Sequence, residues 1–387
     1  MMNIALATPL LGGLTPEAFM RRHWQKKPLL VRAAYPGGTP PIARAELFEL
    51  AARSDVQSRL VVRSGSNWSL AHGPFARRAL PPLKQPRWTL LVQGVDTLLD
   101  SAHRLLSNFR FVPDARVDDL MVSYASDEGG VGPHVDSYDV FLLQLHGQRR
   151  WRVGRCRDPR LQAGLPLKIL EHFEPQHDWL LEPGDMLYLP PGWGHDGVAV
   201  GECLTASIGF RAAGRDEVAH QVLQRLLDAA ELDGSAPARL YRDPDQPAVG
   251  KPARIPAVLQ AFAADAVARA VADRAGLDCG LGEWLSEPAP GVSFEPLGAG
   301  AKVDLLALDA VQLDRRTRML YDQRFVFINA ESFRAGGRDA ALMRQLADQR
   351  RMHARELQRL SADAFELLGD WLHAGWLHPL SIDGDFE

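Results

Sequence analysis

The sequence predicts an α+β protein: an N-terminal β-sandwich or jelly roll, then a helical region, then a small C-terminal module of strands and helices. Three observations predict it. Short apolar runs with Gly and Pro punctuation recur up to Phe210, the pattern of many short strands rather than buried helices. From about Arg215 to Trp284 the chain turns rich in Ala, Leu, Gln, Arg and Asp with helical spacing. Beyond a Pro/Gly segment at 288–300, which reads as a linker, hairpin and helix patterns return.

The elements follow in order. Thr15-Pro16-Glu17 starts a helix, with an N-cap threonine, proline at the first helical position and an acidic first turn. Apolar runs predict strands at Leu29–Val31, Trp88–Val92, 120–124, 140–145, 151–153, 185–189 and 203–210. His146-Gly147-Gln148 reads as a hairpin turn, and Glu182-Pro183-Gly184-Asp185 as a tight turn before a strand. In the helical region Val218, Val222, Leu226 and Leu227 share a face, and the Pro-rich stretch 244–256 divides the region into two helical parts. Met319–Tyr321 and 325–329 look like a hairpin, and a helix runs through Ala364, Leu367, Leu368 and Trp371. Hairpin plus helices is compatible with a winged-helix-like module.

Composition bounds the function classes. With 387 residues, 46% hydrophobic and 24% charged, the chain has ample core for two or three domains. A net charge of −4 argues against a general polyanion binder, so direct nucleic-acid binding is not indicated. Three widely separated cysteines (Cys156, Cys203, Cys279) suggest neither a disulfide framework nor a Cys-rich zinc site. The first residues lack the basic and apolar stretches of a signal peptide, and no apolar run approaches the ~20 residues of a membrane span. A reducing cytoplasm is the expected setting.

The sharpest chemical signal is His134, Asp136 and His195. His134 and Asp136 lie in GGVGPHVDSYDVFLLQL, and His195 closes LEPGDMLYLPPGWGH. Side chains alternate along a strand, so His134 and Asp136 point one way and Val135 the other. His195 must then arrive from a neighbouring strand end or loop. Two imidazoles and one carboxylate bind Fe(II) on one face and leave open positions for a co-substrate and O2. A lone histidine among 12 is usually a surface or core residue, and here the surrounding turns and strands raise the metal reading. His23, His146, His172 and His177 have poorer contexts: a helix, a turn and a polar connection.

These segments resemble the paired metal motifs of JmjC-type oxygenases in the cupin superfamily, and most of all the bacterial ribosomal oxygenases. Supporting matches are HWQKKPLLVR, SRLV, HGPF, WTLLVQGVD, DDLMVSYA, RRWRVG and SIGFRA, in order over roughly the first half of the chain. The resemblance implies a double-stranded β-helix catalytic domain at 1–212, a helical dimerisation region at 213–290 and a winged-helix-like domain at 291–387. It implies a homodimer, Fe(II), 2-oxoglutarate and O2 as cofactor and co-substrates, and a reaction that converts 2-oxoglutarate to succinate and CO2. The implied target is an arginine β-carbon of large-subunit ribosomal protein sixteen. Eukaryotic relatives hydroxylate histidine instead.

The distal carboxylate of 2-oxoglutarate requires a cation. In Gln148-Arg149-Arg150-Trp151-Arg152-Val153, alternation puts Arg149 with Trp151 and Val153, hence inward, and Arg150 and Arg152 outward. A guanidinium fork suits a carboxylate, and the family's co-substrate arginine falls on this position. An internal salt bridge is the other reading. Ser123, inward with Met121, matches a family hydroxyl on the same carboxylate, although a plain strand serine reads equally well; Thr205 or Ser207 could also line the site. Asp119 shares the parity of Met121 and Ser123 and is the candidate partner for a substrate guanidinium, with Met121 beside it. Asp118 points away, and an exposed strand-start acid is the alternative for Asp119. Two other function classes compete: a non-oxygenase metal cupin, which usually adds His or Glu ligands near the first motif, and a binding module using Arg315, Arg316, Arg318 and Arg324. No H-E-x-x-H of a zinc hydrolase is present.

Overall fold

The computed structural model describes residues 3–37, 40–232, 240–298 and 305–380; the end of the 288–300 segment lies outside them. Contacts divide the chain into two units, Met1–Ala212 with Ala289–Phe294, and Ala213–Pro288 with Glu295–Glu387.

The first unit is a jelly roll of ten strands: β1 (Leu29–Val31), β2 (Ser58–Ser64), β3 (Asn67–His72), β4 (Trp88–Val92), β5 (Val117–Ala125), β6 (His134–Val135), β7 (Asp139–Arg155), β8 (His177–Leu181), β9 (Met186–Leu189) and β10 (Trp193–Phe210). The order is β1-β9-β7-β10-β5-β4-β2-β3, with β6 against β10 and β8 against β7. Every pairing is antiparallel. The long strands β7 and β10 make the roll. The first part of β7 pairs with β9 and the last part with β8, while β10 follows β7 throughout.

His146-Gly147-Gln148 is therefore not a hairpin turn. Gly147 sits at φ +63 inside β7, opposite an irregularity in β10 between Val200 and Leu204. A Cβ there would stand 2.0 Å from the Glu202 carbonyl oxygen, so only glycine fits. The bulge also reverses the alternation. Before it Phe141 and Leu143 join the core under the N-terminal helices, and Val140 and Leu142 face inward. After it Trp151 and Val153 face inward with them.

The helix Pro16–Arg22 begins as its sequence requires, Thr15 accepting from the Ala18 N–H at 3.0 Å. Its Phe19 is fully buried against Phe111, Phe141 and Tyr188. Two histidines also depart from expectation. His23 caps the C-terminus of that helix, and His177 opens β8, stacked on Trp179.

In the second unit a helix spans Arg215–Leu232. The region beyond the prolines is two helices rather than one, Ala257–Ala272 and Arg274–Leu285, broken at Asp273, which caps the second. Strands β11 (Ala310–Leu313), β12 (Met319–Tyr321), β13 (Phe325–Ile328), β14 (Glu331–Arg334), β15 (Arg351–His353) and β16 (Leu377–Leu380) form two three-stranded sheets. The expected hairpin is β12–β13, and β14 extends it through Asn329 and Ala330, both at positive φ. The helices Gly337–Gln349 and Ala362–His373 bury Leu346, Leu368 and Trp371 in this unit's core.

Candidate metal and co-substrate site

His134 and His195 are register partners on β6 and β10, their ring centroids 4.2 Å apart. His195 thus stands near the start of a strand rather than on a loop. Asp136 follows β6 directly, its carboxylate 4.0 Å from His134 Nε2 and 3.5 Å from His195 Nε2. One ligand atom from each of the three residues lies within 4.8 Å of the others.

The second nitrogen of each ring fixes the tautomer. His134 Nδ1 lies 2.9 Å from the Gly132 carbonyl and His195 Nδ1 3.1 Å from that of Trp193. A carbonyl only accepts, so Nδ1 carries the hydrogen and the Nε2 lone pairs face Asp136. Burial, then the neighbouring His134, holds His195 well below the usual histidine range, so it is neutral as a ligand must be. Burial pushes the Asp136 carboxyl up, and His134 opposes that shift. Two imidazoles and a carboxylate with converging donors fit a divalent metal of the iron type.

Arg149 is buried, while Arg150 and Arg152 are exposed and pair with Asp178 and Asp196. Among the described residues Arg149 has no ion-pair partner. Its guanidinium donates to Ser123 Oγ (3.2 Å), Thr205 Oγ1 (3.4 Å) and the Gly197 carbonyl (3.2 Å). Its Nε–H finds no acceptor. Burial depresses its pKa, the signature of a cation taken from water without a counter-ion. The Trp151 ring lies between the two centres, 5.0 Å from the Arg149 guanidinium carbon and 5.8 Å from the His195 ring. Gly197 makes room for this stack: a Cβ there would fall 2.6 Å from the indole and 2.8 Å from Arg149 Nε.

Thr205 pairs in register with Ser123 and passes a hydrogen bond to Gln144. Sequence reasoning offered Thr205 as a lining residue without choosing it, because its partnership with Ser123 depends on register. Asp119, Met121 and Ser123 face away from the core under the helices, which takes Leu120, Val122 and Tyr124. Asp119 is half-buried and accepts from the Gly94 N–H at 2.9 Å. Burial, then the charges of Asp96 and Asp118, pushes its carboxyl up to about 7. Asp118, on the other face, pairs with Arg211. Arg59, whose Nη2 lies 3.9 Å from Met121 Sδ, lies in the SRLV match, but the motif assigns it no role in sequence.

Residues 104–218 match the JmjC domain family, and residues 270–378 match the ROXA-like winged helix. The chain is 41% identical to the ribosomal protein uL16 3-hydroxylase of Escherichia coli over 242 residues, 61% of this chain. It is 36% identical to a probable ribosomal oxygenase of Haemophilus influenzae over 60% of this chain. The matched stretches span 62% and 55% of those relatives. The structure of the ribosomal oxygenase YcfD from Escherichia coli in complex with cobalt and 2-oxoglutarate superposes with a TM-score of 0.80 at 30% identity. That match covers 94% of this chain and 98% of YcfD. With a shared jelly roll, a shared C-terminal winged helix and this extent of likeness, the chain belongs to the JmjC-type ribosomal oxygenases.

Proposed function

We propose that this chain is a 2-oxoglutarate- and Fe(II)-dependent dioxygenase that 3-hydroxylates an arginine side chain of ribosomal protein uL16. One observation carries the reading. A two-histidine, one-carboxylate cluster and a buried arginine without an acid partner flank the same indole. His134, Asp136 and His195 would hold the metal. The bound metal supplies oxygen activation, in which O2 puts one atom into succinate as 2-oxoglutarate loses CO2 and the other into a substrate C–H bond.

The chain's own residues do the rest. Arg149 forks the distal carboxylate of 2-oxoglutarate, with the Ser123 and Thr205 hydroxyls turning to the same anion. The Gly132 and Trp193 carbonyls keep both imidazoles in the ligating tautomer. Asp119 meets the substrate guanidinium, whose burial without a carboxylate would be costly, and Met121 packs beside it. The uL16 3-hydroxylase of Escherichia coli supports uL16 as the target and 3-hydroxylation as the reaction, and the ligands of the YcfD complex support the co-substrate.

On this reading 1–212 is the catalytic domain, 213–290 dimerises and 291–387 is the winged-helix module. Leu223, Leu227, Val258, Phe262 and Val267 are exposed on the helices Arg215–Leu232 and Ala257–Ala272, and a second copy of the chain would cover them. Among the described residues no helix is long and apolar enough to cross a membrane. Three free cysteines suit a cytoplasmic enzyme acting where ribosomal proteins are made. The test is turnover with Fe(II), ascorbate, 2-oxoglutarate and a uL16 peptide. Tandem mass spectrometry should place one added oxygen on arginine, and His134→Ala should abolish it with the fold intact. An unmodified peptide beside consumed 2-oxoglutarate would reject this substrate.

A further inference from the structure

We propose that Arg59 and Arg63 form a subsite that grips the oxygen acceptors of the substrate polypeptide next to the residue presented to the metal cluster; this rests on the function proposed above. The two arginines lie on one face of β2. Register carries Arg59 to Leu91 on β4 and on to Ser123 on β5, which places them on the face that bears Asp119, Met121 and Ser123. The 3.9 Å approach of Arg59 to Met121 agrees. Across the hairpin, Arg63 pairs in register with Trp68, its guanidinium carbon 5.6 Å from the ring. That ring lies against Gly132, 3.3 Å from where a Cβ would stand and two residues before His134.

Neither guanidinium has a carboxylate within ion-pair distance: Arg59 has the Met121 sulfur, with the charges of Asp119 and Asp136 farther off, and Arg63 has the Trp68 ring. Arg32, Arg44, Arg87, Arg110 and Arg116 of the same unit have carboxylates. Among the described residues Arg59 and Arg63 make no ion pair, and β2 and β3 contain no Asp or Glu. The Nε–H of each is buried without an acceptor. A buried donor left unsatisfied is costly, so two on one sheet face point to acceptors that arrive from outside. Four rises of strand separate them, about 13 Å, the span of an extended peptide of similar length. The face thus has an acidic end at Asp119 for a cationic side chain and a basic side for the chain that carries it. Arg149 already serves the only other anion the proposed reaction needs.

Affinity of cobalt- and 2-oxoglutarate-loaded protein for a fluorescent uL16 peptide tests the subsite. Arg59→Gln and Arg63→Gln should each weaken binding about tenfold, the loss of a hydrogen bond from a charged donor. Arg63→Lys should lose less. In turnover the loss should fall on KM rather than kcat, which a mere structural defect would not produce. A second peptide with its Asp and Glu replaced by amides separates the acceptors. Unchanged affinity assigns main-chain carbonyls; a drop that the Gln variants no longer show assigns side-chain carboxylates. Gln variants that bind as the unmodified protein does would overturn the subsite while the proposed substrate stands. An unmodified protein that binds no uL16 peptide would overturn both.

Discussion

A guanidinium as buried as that of Arg149, held by two hydroxyls, a carbonyl and the Trp151 ring, is stable enough to persist but poorly neutralised. Arg149→Ala should weaken 2-oxoglutarate binding by about 2–5 kcal/mol, the cost of removing one partner of a buried charge pair. Titration calorimetry on the cobalt-loaded protein would read it, and Arg150→Ala, whose Asp178 partner is exposed, should change nothing. The reverse ranking would place the anion on the other face of β7. Asp119 makes a prediction in pH. Its carboxyl is pushed up from 3.8 to about 7, so the folded protein holds a proton the unfolded chain has released. Its contribution to stability therefore declines as pH rises from about 4 toward 7. Guanidinium binding runs the opposite way, because only the carboxylate pairs. The KM for an arginine peptide should fall as pH rises through 7, and Asp119→Asn should remove that dependence while Asp118→Asn keeps it. A flat profile in the unmodified enzyme would remove Asp119 from substrate recognition.

Among the elements, β7 shows both what the sequence reveals and where it misleads. The runs at 140–145 and 151–153 are legible as apolar stretches, and parity within the second run turns Arg149 inward. What cannot be read is that Gly147 joins them, because a glycine after a polar residue signals a turn and a bulge equally. The strands β2, β3 and β8 are not legible as strands in sequence, since partial exposure leaves much of each polar, although SRLV in β2 is legible as a motif. That is why Arg59 and Arg63 have no strand face, and so no role, in sequence. His134, Asp136 and His195 were legible because ligand chemistry restricts residue type, whereas Thr205 and Gly197 matter only through register. Gly147→Ala should destabilise the fold by about 1–3 kcal/mol through overpacking at a left-handed backbone position, measurable by urea unfolding. Gly197→Ala should act differently. Its Cβ meets the Trp151 and Arg149 side chains rather than backbone, so 2-oxoglutarate affinity should drop more than stability does. Equal affinity in that variant would mean the Arg149–Trp151 stack is not part of the anion site.

For the whole molecule, the second unit poses a question its own core does not answer. Leu346, Leu368 and Trp371 bury themselves in one cluster, yet Leu227, Val258 and Val267 stand 60% or more exposed on helices that the sequence marks as amphipathic or apolar. Exposed apolar side chains on these two helices would each gain about 1.5–3 kcal/mol when fully covered, enough together to drive association. A symmetric pair is the simplest way to cover such side chains with a second copy. Light scattering should therefore return twice the 42.7 kDa of the chain. Leu227→Asp together with Val267→Asp should return the single-chain mass with the circular dichroism of the jelly roll unchanged, since neither side chain is in a buried core. A single-chain mass for the unmodified protein at micromolar concentration would end the dimer reading, and those helices would then need another partner.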